Sequence, residues 1–348
     1  MVKRLLAGTA TLIVLALAVI AVSVVHFDVP REELIGQYAN GASQFVTLPS
    51  GASAHMRDEG NPDGPVLVLV HGSNASLHTW VPWVGELGDT YRIVSMDLPG
   101  HGLTGRVPGD DYTREGMAAF VDELMNVLHV ERFAIAGNSM GGGVAALYTL
   151  EHPDRVSALI LVDSAGIPVE RDDTQLPLAF RIAGMPVISN AMRYVLPRSL
   201  VEEGVRKVFV DQSKVTDEMV ARYYDLSLHD GNRDATRMRF ASYAKRDEKA
   251  FAARLGGIEV PVLVLWGEQD GLIPVSAAHE FKARIPQAKL VTFENVGHVP
   301  MEEVPEESAA AVRAFLAGAL AAPVNDPALE VAPGAAAPSS DAATVDAR

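Results

Sequence analysis

The sequence predicts an α/β protein: a mostly parallel, doubly wound sheet with a helical cap insertion and an N-terminal transmembrane segment. Three observations carry this expectation. Short apolar strand-like runs alternate with amphipathic helical patterns, a Pro-punctuated helical stretch interrupts the alternation, and a chargeless apolar run follows Lys3 and Arg4. Alternation favours a parallel sheet because parallel neighbours need a crossover connection, usually a helix.

The apolar run spans Leu5 to Val25. A bilayer crossing needs about 20 apolar residues, whereas the core of a cleaved signal is shorter, at roughly 7 to 15. Residues 5–25 therefore read as a retained anchor, with cleavage near Ala21-Val22-Ser23 as the alternative. Lys3 and Arg4 hold residues 1–4 in the cytoplasm as a short stub, which sends the remainder to the periplasm or cell exterior. Residues 26–43 are polar and mixed in charge and read as a spacer.

Strand-like runs bounded by Gly, Pro, Asp or Asn follow at Gln44 to Leu48, Ala52 to Arg57, Val66 to Val70, Arg92 to Met96, Phe133 to Ala136, Ala158 to Val162, Pro261 to Trp266 and Lys289 to Phe293. The first two form an antiparallel hairpin. Val66-Leu67-Val68-Leu69-Val70 does not alternate, as expected of a strand covered on both faces. Between the strands, Met117 to Leu128, Gly142 to Leu150, Ser276 to Arg284 and Ser308 to Leu320 place apolar residues at helical spacing. Residues 44–166 and 258–320 make the core. Within 167–257, Pro168, Pro177, Pro186 and Pro197 punctuate helical stretches such as Ser199 to Val210 and Asp217 to Leu228, so this segment is a cap inserted between two strands. Residues 321–348 are rich in Ala and Pro and bury too little apolar surface to order themselves.

Composition excludes several function classes. A formal net charge of −15 over 348 residues repels nucleic acid, and the absence of cysteine removes thiol nucleophiles and Cys-ligated zinc. No paired-histidine metal spacing, phosphate loop or dinucleotide fingerprint is present, so neither metal nor cofactor is expected. Oligomeric state leaves no signal.

The chemistry concentrates in Gly137-Asn138-Ser139-Met140-Gly141, placed between a strand and a helix. G-x-S-x-G in that setting is a nucleophile elbow, a tight turn that presents serine at the end of the sheet. A serine hydroxyl needs a base to attack a carbonyl, and the base needs an orienting acid. Asp270 follows the strand ending at Trp266, and His298 follows the strand ending at Phe293, so both fall at the carboxyl edge of the sheet with Ser139. Asp163, at the end of the strand Ala158 to Val162, competes for the acid role.

With these motifs the chain resembles the α/β-hydrolase superfamily over about Gln44 to Leu320. His71-Gly72-Ser73-Asn74 looks like its oxyanion loop, and Asp97-Leu98-Pro99-Gly100-His101-Gly102 like its turn after the next strand. The resemblance implies Ser139 as nucleophile, His298 as base, Asp270 as acid, and the backbone N–H groups of Ser73 and Met140 as oxyanion hole, with His71 and His101 structural. It also implies hydrolysis of a carboxylic ester, expected to be a small apolar molecule, while the anchor places that reaction beside the membrane. Two alternatives stand. The elbow with Gly142 also looks like that of hydrolases cleaving carbon–carbon bonds in aromatic ring-fission products, although those carry Trp where Val299 stands; and the fold could serve a non-catalytic binding protein. Trp80, Trp83 and Trp266 read as packing residues that could line an acyl pocket. Arg222, Tyr223, Tyr224, Arg237, Arg239 and Tyr243 read as solvated or packing faces of the cap.

Overall fold

The computed structural model describes residues 27–168, 176–178, 181, 193–243 and 245–321. The expected stub and anchor, and all but the first residue of the expected tail, lie outside them. No helix among the described residues is long and apolar enough to cross a membrane.

Eight strands form one sheet: β1 (Ser43–Thr47), β2 (Ser53–Gly60), β3 (Val66–Val70), β4 (Arg92–Met96), β5 (Phe133–Asn138), β6 (Val156–Val162), β7 (Val262–Gly267) and β8 (Lys289–Phe293). Their order is β1-β2-β4-β3-β5-β6-β7-β8. β1 and β2 pair antiparallel, β2 and β4 likewise, and every other neighbouring pair is parallel. The chain leaves β3 toward β4 on one side and returns to β5 on the other. That reversal opens a crevice beyond the carboxyl ends of β3 and β5, where ligands of doubly wound sheets bind.

Alternate residues of the same strands feed opposite cores. Val68, Val70, Ile135, Leu159, Leu161 and Val264 face one side, against α3 (Arg114–Val127), α4 (Met140–Glu151) and α9 (Ser276–Arg284). Leu67, Leu69, Ala134, Ala136, Ile160 and Leu263 face the other, against α2 (Val81–Leu87) and α11 (Pro305–Ala319). Burial on both faces is why β3 shows no alternation. Between β6 and β7 the cap contributes α5 (Arg198–Val208), α6 (Asp217–Ser227) and α7 (Asn232–Tyr243). Thr216 caps α6 by accepting from Met219 N.

Two boundaries differ from the sequence expectation. The helix α8 (Glu248–Arg254) falls within the expected cap, yet Phe251, Ala252 and Leu255 are buried in the core beside α4 and α9, so the cap ends with α7. Residues 31–38 form a helix, α1 (Arg31–Tyr38), where a spacer was expected. Leu34 and Tyr38 share one face of it and are buried against Leu103 and Leu226. Just before it, Val29 N donates to Leu228 O at 2.7 Å, Asp230 N donates to Val29 O at 3.0 Å, and Asp28 pairs with Arg233 at 2.6 Å. Tyr38 Oη then donates to Asp225 Oδ2 at 2.5 Å. The segment is a strap across the cap. Two apolar positions one turn apart are too few to register as helical periodicity, which is why the sequence hid it.

Candidate active site

Ser139 sits between β5 and α4 with φ 54° and ψ −120°. A non-glycine residue at such a φ is strained, and the surroundings hold it there. Ser139 N donates to Val162 O at 3.0 Å, and Ser139 O accepts from Gly142 N at 3.0 Å and Ala165 N at 2.9 Å. The flanking glycines answer close approach: a Cβ on Gly137 would collide with the Gly141 carbonyl, and one on Gly141 with the carbonyls of Val70 and His71.

His298 and Asp270 arrive from the loops after β8 and β7, and both are buried. His298 Nδ1 bonds to Asp270 Oδ2 at 2.7 Å, and Asp270 Oδ1 accepts from Leu272 N at 2.7 Å and Ile273 N at 3.0 Å. Ser139 and His298 open into one chamber together with Ser73 of the loop after β3. Met140, the first residue of α4, follows Ser139 directly and its side chain is buried in the core. The chamber's remaining wall is mostly cap: Leu196, Leu200, Val201, Val205 and Val208, joined by Val299. It encloses about 1180 Å³ of empty space, its solvent mouth included. Trp80, Trp83 and Trp266 are fully buried in the core and none lines the chamber.

Asp163, the competing acid, lies at the same place. The ligand atoms of Asp163, Asp270 and His298 are all within 4.8 Å of one another, and this is the one such acid–histidine cluster among the described residues. The histidine's Nδ1 is committed to Asp270 within it, an acid–base arrangement. Asp163 Oδ1 accepts from Gly267 N at 3.0 Å, while its Oδ2 is buried without a partner. Burial, and then the charge of Asp270, push the Asp163 carboxyl well above the usual carboxylate range. An acid whose folded pKa is raised costs stability once pH exceeds its unfolded value, and the cost grows until pH passes the folded value. Asp163→Asn is therefore expected to become progressively more stable relative to wild type as pH rises above about 4. Urea unfolding of both proteins at several pH values checks this; a difference that stays flat refutes it.

Three further residues organise the site and escaped the sequence reading. Asn138, inside the elbow, donates from Nδ2 to Val162 O at 3.2 Å and to His298 O at 3.0 Å, tying the histidine loop to the sheet. Glu303 is buried in the short helix α10 (Pro300–Glu303). Its Oε2 accepts from Gly297 N at 2.8 Å, and its Oε1 from Val210 N at 2.8 Å and Asp211 N at 2.6 Å. With His298 N donating to Val208 O at 2.9 Å, the end of α5 is stitched to the histidine loop.

Of the two faces expected for the cap's basic residues, solvated or packing, Arg239 takes the packing one: it is fully buried. Its Nη2 donates to Ser73 Oγ at 3.0 Å and Asn74 Oδ1 at 2.6 Å, and its Nη1 to His101 Nε2 at 2.6 Å. The cap thereby grips the loop after β3. His101 Nδ1 bonds to Pro99 O at 2.9 Å. His71 bonds through Nδ1 to Gly72 O at 2.7 Å and accepts Leu98 N at Nε2, at 3.0 Å. Burial, helped by Arg239, holds His101 well below the ordinary histidine pKa, and burial lowers His71 as well. Both rings brace loops. Asp97, in the turn after β4, accepts from His55 Nδ1, Leu77 N and Leu103 N, each at 2.7 Å.

Residues 65–305 match the α/β hydrolase fold family. The chain belongs to it. This α/β-hydrolase is 28% identical over 280 residues to Lipase 1 of Psychrobacter immobilis, covering 78% of this chain and 82% of the lipase. It is also 28% identical over 268 residues to the 2-hydroxy-6-oxononadienedioate/2-hydroxy-6-oxononatrienedioate hydrolase of Comamonas testosteroni, covering 74% of this chain and 90% of that one. Among solved structures, a bacterial membrane phospholipase A superposes with a TM-score of 0.70 at 27% identity, over 92% of this chain and 100% of that one. The α/β-hydrolase described here is accordingly a hydrolytic enzyme.

Proposed function

We propose that the protein hydrolyses carboxylic esters of apolar acyl chains through an acyl-enzyme, with Ser139 as nucleophile, His298 as general base and Asp270 as its orienting acid. The observation that carries this reading is the opening of Ser139 and His298 into one aliphatic chamber, with His298 bonded to Asp270 at 2.7 Å. His298 takes the proton of Ser139 Oγ as it attacks the ester carbonyl. The backbone N–H groups of Ser73 and Met140 receive the developing oxyanion, and a lost donor of this kind costs about 3–4 kcal/mol of transition-state stabilisation. His298 returns the proton to the leaving alcohol. Water, activated by the same histidine, then releases the acid.

Carbon–carbon hydrolysis of ring-fission products is the second reading, favoured by the Comamonas relative and by the Gly137–Gly142 elbow. Val299 on the chamber wall, where such enzymes are expected to carry Trp, weighs against it. The deciding experiment is a hydrolysis screen over p-nitrophenyl esters of increasing acyl length, with one dienoic ring-fission product included. Ester turnover that rises with chain length is expected; turnover of the dienoic compound alone reverses the ranking. Fluorophosphonate labelling at Ser139 separates both from a non-catalytic binding protein, which would not react.

We also propose that residues 5–25 hold the enzyme in a membrane, with the folded part in the periplasm or outside the cell. The support is the chargeless run behind Lys3 and Arg4. Fractionation with N-terminal sequencing tests this, since a soluble form beginning near Val24 would mean a cleaved signal.

A further inference from the structure

The chamber wall carries charges that cleavage of a neutral ester does not use. Arg233 and Arg237 stand one turn apart on α7, and both line the chamber with Thr236 and Phe240. Arg233 has a side chain only 6% exposed. Its Nε and Nη2 donate to Asp28 Oδ1 at 3.1 and 2.6 Å, which leaves Nη1 a buried donor without a partner. A buried cationic N–H left unbonded is costly, and a partner at this position would offset that cost. Arg237 bonds through Nε to Asp234 Oδ1 at 3.2 Å, while Asp234 Oδ2 is taken by Arg193 at 2.8 Å. Arg233 thus pairs with Asp28, while Arg193 and Arg237 share Asp234. Two guanidinium groups lining one chamber wall, on a protein of formal net charge −15, offer an anion a local partner against the general field.

Resting on the ester-hydrolase reading, we infer that the substrate is an acyl ester whose alcohol bears a phosphate, as in a lysophospholipid, with the phosphate oxygens against Arg233 and Arg237. Residues four apart on a helix share a face, and guanidinium forks match phosphate oxygens in paired hydrogen bonds. The acyl chain then lies along Leu200, Val201, Val205 and Val208 of the cap, with the scissile carbonyl at Ser139. Each end of the substrate meets a wall of its own character.

The test compares two substrates with the same palmitoyl chain, 1-palmitoyl lysophosphatidic acid and 1-palmitoylglycerol, in the same neutral detergent micelles. Wild type is expected to favour the phosphorylated substrate at least tenfold in kcat/KM, chiefly through KM. Arg237→Gln is expected to lower that ratio about tenfold. Because Arg233→Gln alone strands Asp28, the double variant Asp28→Asn/Arg233→Gln is the matched second probe and is expected to lower the ratio likewise. Equal rates on the two substrates in wild type, or an unchanged ratio in both variants, overturns the inference. Binding of lysophosphatidic acid to Ser139→Ala protein, with and without Arg237→Gln, reads the phosphate contact apart from turnover. Binding unweakened by Arg237→Gln refutes the phosphate site, whereas a wild type that binds as expected but cleaves no ester refutes the ester-hydrolase reading instead.

Discussion

Ser139→Ala is expected to abolish ester hydrolysis while the protein remains folded. In the proposed mechanism the bond to the acyl group is made by Oγ, at the end of β5. The hydrogen bonds that hold the elbow run through Ser139 N and O, to Val162, Gly142 and Ala165, and alanine keeps all of them. The loss in kcat is expected to be about 10⁶-fold, the scale seen when the nucleophile of a serine hydrolase is removed. A p-nitrophenyl ester assay beside circular dichroism and thermal melting checks both halves. Turnover near wild type in a folded Ser139→Ala protein would remove Ser139 from the mechanism.

The second large effect is expected at Asp270. Asparagine there keeps an oxygen for Leu272 N and Ile273 N, so the loop after β7 has little reason to move. What changes is the atom facing His298 Nδ1, now 2.7 Å from a carboxylate oxygen. An amide –NH₂ in that place turns the imidazole to the wrong tautomer, with its proton on the nitrogen that should accept from serine. The expected fall in kcat is about 10⁴-fold with little change in KM. Asp163→Asn, by contrast, is expected to change kcat far less, since His298 Nδ1 is bonded to Asp270. Should Asp163→Asn cause the large loss and Asp270→Asn the small one, the two acids exchange roles.

The site was legible wherever its chemistry is contiguous in the chain or tied to a strand end. The elbow is a run of adjacent residues, and its glycines are demanded by contacts within that turn and with β3 next to it. Asp270 and His298 could be ranked because each follows a recognisable strand. Asp270 is the acid the sequence favours and Asp163 its competitor, because both carboxylates follow strands of the same sheet and chain order admits either. For Arg239 the sequence leaves a solvated and a packing role open, since its helix is polar overall. Its partners Ser73 and Asn74 stand 166 and 165 residues away, and no local pattern reports them. Glu303 likewise resembles any acidic residue near a helix start until α5 is brought against it.

The amino-acid sequence by itself determined the sheet, the elbow and the order of serine, acid and histidine, because strand burial and turn sterics act between near neighbours. Only the tertiary structure decided which carboxylate meets His298, that residues 28–38 strap the cap, and that Arg239 and Glu303 fasten cap to core. The physical reason is that a buried hydrogen bond forms only when closure of the fold brings a donor within about 3 Å of its acceptor. Periodicity and propensity carry no record of that distance.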